Sequence, residues 1–194
     1  MSAVDLATVH LDKGSHRSAD EGHCLLEVAS MLAGQPFGDG PPCVSPVLRT
    51  FGISVNDQWD DEQRQKLLPF APRLLNTAGD GLDEARSYLA LDWLIRTYTP
   101  AWLDLAGLTD VAADLRALRR VADMAAAAGP VVRDAQTKAV AARVAAWAAA
   151  WAAAWDAAGD AARAAAGAAL KPTVELLQAS ALDLFDRMIA PMAS

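Results

Sequence analysis

The sequence is short of the residues that most directly announce chemistry. It holds only 2 cysteines and 3 histidines. The strong metal-site spacings, a Cys-x-x-Cys pair or a His-Glu-x-x-His run, are missing. Positive charge is also scarce: 17 Lys and Arg stand against 24 Asp and Glu, for a net charge of −7. That argues against a nonspecific grip on nucleic-acid phosphates, which needs clustered cations. The densest basic patch is Arg116, Arg119 and Arg120, expected on one helix and read as a solvated face. A membrane span needs about 20 apolar residues. The longest charge-free Ala/Trp run, Val144 to Trp155, has 12. The N-terminal "MSAVDLATVHLDKGSH" lacks the apolar stretch of about 7–15 residues that marks a signal peptide. A reducing cytosol is the expected compartment, where Cys24 and Cys43 need not pair. β-type alternation is nearly absent; "AVDLATVHL" is the one weak candidate.

Helix signals are frequent instead, and they predict an all-α fold: a helical bundle with a long Ala/Trp-rich C-terminal helix. Ser18 and Glu21 read as a capping box and Gly34 as a stop, which predicts a helix over 19–33. "QPFGDGPPC", residues 35–43, reads as a rigid loop. Ser45-Pro46 caps and opens a second helix running to about Val55. Asp60 caps a third, "DEQRQKLL", whose continuation Pro69 and Pro72 reduce to a short helical turn. "LDEARSYLALDWLIRTYT" reads as an amphipathic helix that Pro100 ends or kinks, with Asp92 and Arg96 paired at i, i+4. Thr109 is expected to cap "DVAADLRALRRVADMAAAA", stopped by Gly129-Pro130. Residues 139–169 contain 20 alanines in 31 positions, the best helix former. Val140, Val144, Trp147, Trp151, Trp155 and Gly159 trace a stripe along that helix. Lys171-Pro172 is expected to break or kink it before a final helix carrying Val174, Leu177, Leu184 and Met188. The expected organisation is an N-terminal helical core over 1–130, then the long Ala-rich helix and the final helix over 131–194, in one structural domain.

Three places could carry function. In "SADEGHCLLEVASMLAG", residues 18–34, a helical reading sets His23, Cys24, Glu27, Ser30 and Met31 on one face and Leu25, Val28, Ala29 and Leu32 on the other. The polar face has no Lys or Arg, which suggests that the 35–43 loop covers it. His23 and Glu27 at i, i+4 are metal-ligand candidates, with Cys24, His16, Asp39 and Cys43 to complete a set. Glu27, His23, Cys24 and Asp39 are the candidates for catalysis. Cys24 counts against itself: as the sixth helical residue it lies beyond the first turn, and His23 points about 100° away from it. The second place is "SVNDQWDDEQR", where Asn56 and Asp57 are candidate ligand-binding residues beside a turn. The third is the aromatic set Trp93, Tyr98 and Trp102, more often core than pocket. For "WAAAWAAAW" we read a packing seam rather than a stacking platform, because the nearby Arg143, Asp156, Asp160 and Arg163 sum to zero charge.

The stretches "EGHCLLEVASMLAGQPFGDGPPCVSPVLRTFGISVND", "RQKLLPFAPRLLNT" and "ARSYLALDWLIRTYTPAWLDLAGL" resemble a group of uncharacterised proteins from high-GC bacteria and their phages, over roughly residues 14–120. Relatives often carry an Asp-His-Pro-x-Cys-like loop. This chain has Asp39, Gly40, Pro41, Pro42 and Cys43 there, so the histidine is absent. The resemblance carries over no catalytic residue and implies no cofactor. The expected function is non-catalytic: a cytosolic helical binding or interaction protein, self-associating as a homodimer, or joined to a protein partner, through the Trp147/Trp151/Trp155 helix. The alternative is a small helical enzyme or metal-dependent protein with its site between helix 19–33 and loop 35–43.

Overall fold

The computed structural model describes residues 4–130, 133, 137 and 160–190. Among the described residues the chain is all-α, with no strand. Its helices are α1 (Leu25–Leu32), α2 (Pro46–Gln58), α3 (Asp61–Gln65), α4 (Asp83–Trp93), α5 (Thr99–Leu105), α6 (Thr109–Ala117), α7 (Met124–Ala127) and α8 (Asp160–Ile189). 3-10 turns occupy Leu6–Thr8 and Leu68–Leu74, and a π-helical turn, Leu94–Tyr98, joins α4 to α5. None of these helices is long and apolar enough to cross a membrane. The stripe of Val140, Val144, Trp147, Trp151, Trp155 and Gly159 lies outside the described residues. The chain divides into two compact units, one made of residues up to Ser87 and from Leu182 onward, the other Tyr88–Ala181.

The first unit is built on local signals that work as expected at three points. Ser45 caps α2, its hydroxyl accepting from the Leu48 amide, and Pro46 takes the first helical position. Asp60 caps α3 by accepting from the Gln63 amide at 2.9 Å. Gly34, at φ +66°, ends α1. There the Gly34 amide bonds the Met31 carbonyl and the Gln35 amide bonds the Ser30 carbonyl, the paired bonds of a Schellman stop. Leu25, Leu26, Val28, Leu48, Leu67, Leu74, Leu184, Phe185 and Met188 are buried. Phe185, near the end of α8, stacks on Phe51 at 5.4 Å and Phe70 at 5.1 Å. Gly52 lets α2 close on α1: a Cβ there would sit 3.1 Å from a Leu26 methyl.

The second unit buries Ile95, Leu103, Ala112, Leu115 and Val121 together. Several expectations need correction here. Pro100 does not end its helix. The preceding turn widens to the π form, with the Thr99 amide reaching the Leu94 carbonyl, and α5 follows directly. A proline lacks an amide and crowds the carbonyl one turn back, and the wider turn accommodates both defects. The helix expected from Thr109 through Ala128 stops at Ala117 and resumes only at Met124. Leu108, not Thr109, holds the cap position. The break serves a tertiary bond: the Val121 amide donates to Asp92 Oδ1 at 2.8 Å, and Val121 is buried. Arg119 and Arg120 therefore lie past the end of α6 rather than on the helix with Arg116. The Asp92–Arg96 pair forms as expected, at 3.4 Å.

Pro172 likewise fails to break α8, which runs through it. An internal proline costs about 3 kcal/mol. The buried Leu177, Ala181, Leu184, Phe185 and Met188 that follow it offset that cost.

One buried cation ties distant parts of the first unit. Arg86 is fully buried. Its Nε donates to the Met188 carbonyl at 2.9 Å, and its two terminal nitrogens to Asp80 at 2.7 and 2.6 Å. Further bonds reach the Thr77 carbonyl and Asp83. Burial alone would lower the Arg86 pKa, but Asp80 and Asp83 raise it. Lysine cannot reproduce this fork. Arg86→Lys is expected to lower unfolding free energy by roughly 3 kcal/mol or more, the scale of a broken buried ion pair. Urea unfolding followed by circular dichroism measures it.

Candidate functional site

Of the cluster singled out in the first helix, Glu27, Ser30 and Met31 lie on α1, while His23 and Cys24 precede it. Residues 18–21 form a turn, in which the Glu21 amide bonds the Ser18 carbonyl and the Glu21 carboxylate accepts from the Arg17 amide. The expected 19–33 helix begins only at Leu25, and Cys24 is its N-cap. Two things delay it. Gly22 adopts φ +142°, which is not helical. The His23 carbonyl accepts from the Asp12 amide at 2.7 Å, so residue 23 is held in a cross-chain pairing. The angles assigned to His23 and Cys24 on a continuous helix therefore do not apply.

Glu27 sits at the centre of what forms instead. It is wholly buried, yet every oxygen is engaged. Oε1 accepts from the His16 amide at 2.6 Å. Oε2 accepts from His16 Nδ1 at 2.8 Å and from the Cys24 amide at 2.7 Å. The last bond is the glutamate half of a capping box, made by Glu27 with Cys24 rather than by Glu21 with Ser18. Burial pushes the Glu27 pKa up, but the hydrogen bonds from Cys24 and His16 outweigh it and hold the carboxyl below its ordinary value. Glu27 is thus a buried anion with three of its roughly four acceptor sites already taken by fixed donors.

Cys24 is buried, and its thiol is pushed up to about 12. Desolvation is the main cause. The Glu27 charge adds to it, and the first-turn amides of Glu27 and Leu26 only partly oppose it. The N-cap position would favour a thiolate through the helix dipole; the nearby carboxylate and the dry surroundings win. Cys24 is accordingly a neutral thiol near pH 7. His23 lies apart from this set, its ring edge-on to Phe37 at 6.2 Å.

Cys24, Asp39, Asn56 and Asp57 do come together. With Gly14, Ser15 and Ile53 they line a cavity of about 80 Å³. Asn56 is fully buried and acts as a bracket. Its Oδ1 accepts from the Leu25 amide at 3.2 Å and its Nδ2 donates to the Asp12 carbonyl at 2.9 Å. Asp57 Oδ1 accepts from the Gly14 amide and from Asn56. The loop after α1 is pinned as expected, Ser30 Oγ donating to the Gly38 carbonyl.

The metal candidates do not assemble. His16 meets Glu27, while His23 and Cys43 contribute no bond to either side chain; Cys43 is a free, partly buried thiol. Among the described residues no group of three His, Cys, Asp or Glu side chains is set to hold a metal ion. The aromatic candidates belong to the second unit and form a ladder, Trp93 to Tyr98 at 5.2 Å and Tyr98 to Trp102 at 6.2 Å. Trp93 Nε1 donates to Ser180. The residues that sequence reasoning passed over are Asp12, Gly14 and Gly22, which shape the segment ahead of α1. The spacing of the two glycines around His16 is their one visible trace.

Comparison of the chain with known protein families, curated proteins and solved structures gives no match.

The sign of the Glu27 shift makes a testable pH dependence. Its folded pKa lies below the ordinary 4.5. The stabilisation is therefore complete above about pH 5 and is lost as pH falls through the folded value. Glu27→Gln is expected to cost roughly 2–4 kcal/mol at pH 7, since a buried charged set is broken. It should also flatten part of the acid limb, leaving the part due to Asp80, whose carboxyl the Arg86 guanidinium holds low. Urea unfolding at a series of pH values decides; an acid limb identical to the parent's would count against this assignment.

Proposed function

We propose that the protein is a cytosolic helical binding or interaction protein that self-associates through the segment carrying Trp147, Trp151 and Trp155. One observation carries this reading. All the large hydrophobic side chains found exposed among the described residues, Leu94, Leu105, Leu108, Met124 and Leu176, belong to the unit Tyr88–Ala181. The tryptophan segment belongs by sequence to that same stretch. An apolar surface concentrated on one unit points to a partner. The rest of the support is chemical. The groups that could have done catalysis at the start of α1 are spent on holding backbone: Glu27 on three donors, Cys24 as a neutral buried thiol.

A second reading, a small helical enzyme or metal-dependent protein, is favoured by the cavity that gathers Cys24, Asp39, Asn56 and Asp57. Its weakness is that Cys24, the nucleophile among them, is held as a neutral thiol.

The first reading predicts a mass of two or more chains by sedimentation equilibrium at micromolar concentration. The triple variant W147A/W151A/W155A should be a monomer with unchanged helicity in the first unit. A parent protein that stays monomeric at every concentration, with no partner recovered, would overturn self-association. For the second reading, protein purified without chelator should carry stoichiometric metal; substoichiometric metal removes the metal version.

A further inference from the structure

The segment between the 3-10 turn Leu6–Thr8 and α1 has an unusual construction. Residues 12 and 23 are clamped together: the Asp12 amide bonds the His23 carbonyl at 2.7 Å, and Asn56 Nδ2 holds the Asp12 carbonyl at 2.9 Å. Between them the chain leaves and returns as a nine-residue loop, Gly14 to Gly22. Both end glycines have positive φ, +87° and +142°. The Gly14 end is fixed by its amide bond to Asp57. A Cβ on Gly22 would fall 2.8 Å from Asp12 Oδ2 and from the His16 ring, so that corner closes only around glycine. Adjacent ends and a self-contained body are the marks of an Ω-loop.

Within the loop, Ser15, Arg17, Ala19, Asp20 and Glu21 are exposed. The hydrogen bonds of Arg17 and Glu21 stay inside the loop. Among the described residues, 15–21 are tied to the rest of the unit by hydrogen bonds at one residue, His16, through its amide and its Nδ1 to Glu27. Gly14 and Ser15 also form part of the wall of the cavity on which Cys24 lies.

From this we infer that residues 14–22 are a hinged flap over the Cys24 cavity, latched by His16 on the buried Glu27. Opening breaks two hydrogen bonds and turns at two glycines, while the clamp at residues 12 and 23 and the helices behind it stay in place. It uncovers Cys24 and the cavity without unfolding the unit. Such sub-global opening is how folded proteins expose selected groups at a free energy below that of global unfolding.

Cys24 is its own reporter. In a Cys43→Ser background, Cys24 is the single thiol, and its alkylation by iodoacetamide at pH 8 is followed by mass spectrometry across low urea concentrations. The flap predicts a rate that rises only weakly with urea below the unfolding transition, because little surface is exposed on opening. His16→Ala should raise the rate about tenfold or more, the latch being a charge-assisted contact. His16→Asn, whose Nδ2 can occupy the place of the ring Nδ1, should restore slow labelling. A urea dependence as steep as that of global unfolding would overturn the flap, and it does so on the parent alone, whether or not the alanine variant folds. So would a His16→Ala rate equal to the parent's in a folded protein.

Discussion

A wholly buried carboxylate, Glu27, is the constraint on which the first unit depends. Moving such an anion out of water costs several kcal/mol unless its oxygens are satisfied. Glu27 meets that demand with three N–H donors, all from residues 16 and 24. Hydrogen bonds to a charged group contribute roughly 1.5–3 kcal/mol each, enough to offset the burial. The consequence propagates. Because the Cys24 amide must face Glu27, α1 starts at Leu25; because His16 must reach Glu27, the chain ahead of α1 folds back over the helix instead of extending it. The same burial is the main reason the neighbouring thiol is pushed up, and the Glu27 charge adds to it, so shape and low reactivity share one dry setting.

Arg86 is the counterpart of opposite sign. It draws the turn at Thr77 and Asp80, the start of α4 and the end of α8 to one point, the last across 102 positions of sequence. Two buried charges, each satisfied by fixed hydrogen bonds, thus share one unit with the aromatic contact of Phe51, Phe70 and Phe185. The second unit uses the same device more lightly: Asp92 joins Arg96 on its own helix and the Val121 amide beyond α6. Among the described residues, the exposed large apolar side chains all lie in this unit.

How much of this was legible depends on the range of the interaction that decides each feature. The starts of α2 and α3 and the end of α1 rest on bonds spanning a few residues, made by Ser45, Asp60 and the Gly34 stop, and their residue types announce them. The start of α1 was misread for a physical reason. Ser18-x-x-Glu21 and Cys24-x-x-Glu27 both offer a glutamate three residues on, and local spacing cannot rank them. The pairing of Asp12 with His23 and of Asn56 with Leu25 ranks them, and both partners are remote in sequence. The prolines follow the same rule: Pro100 and Pro172 carry a local penalty of known size, but a widened turn and packing let the helix continue past them.

By itself, then, the sequence determined the all-α class, the caps and stops made by neighbouring residues, the lack of strong metal spacings, and the place where polar chemistry concentrates. The tertiary structure alone decided what that chemistry amounts to. Whether Glu27 is a base or a structural anion, and whether Cys24 is a thiolate or a buried neutral thiol, depends on desolvation and on the donors that His16 brings in from outside the helix. Those terms arise only when separated parts of the chain share one dry volume, and no local pattern of residues encodes them.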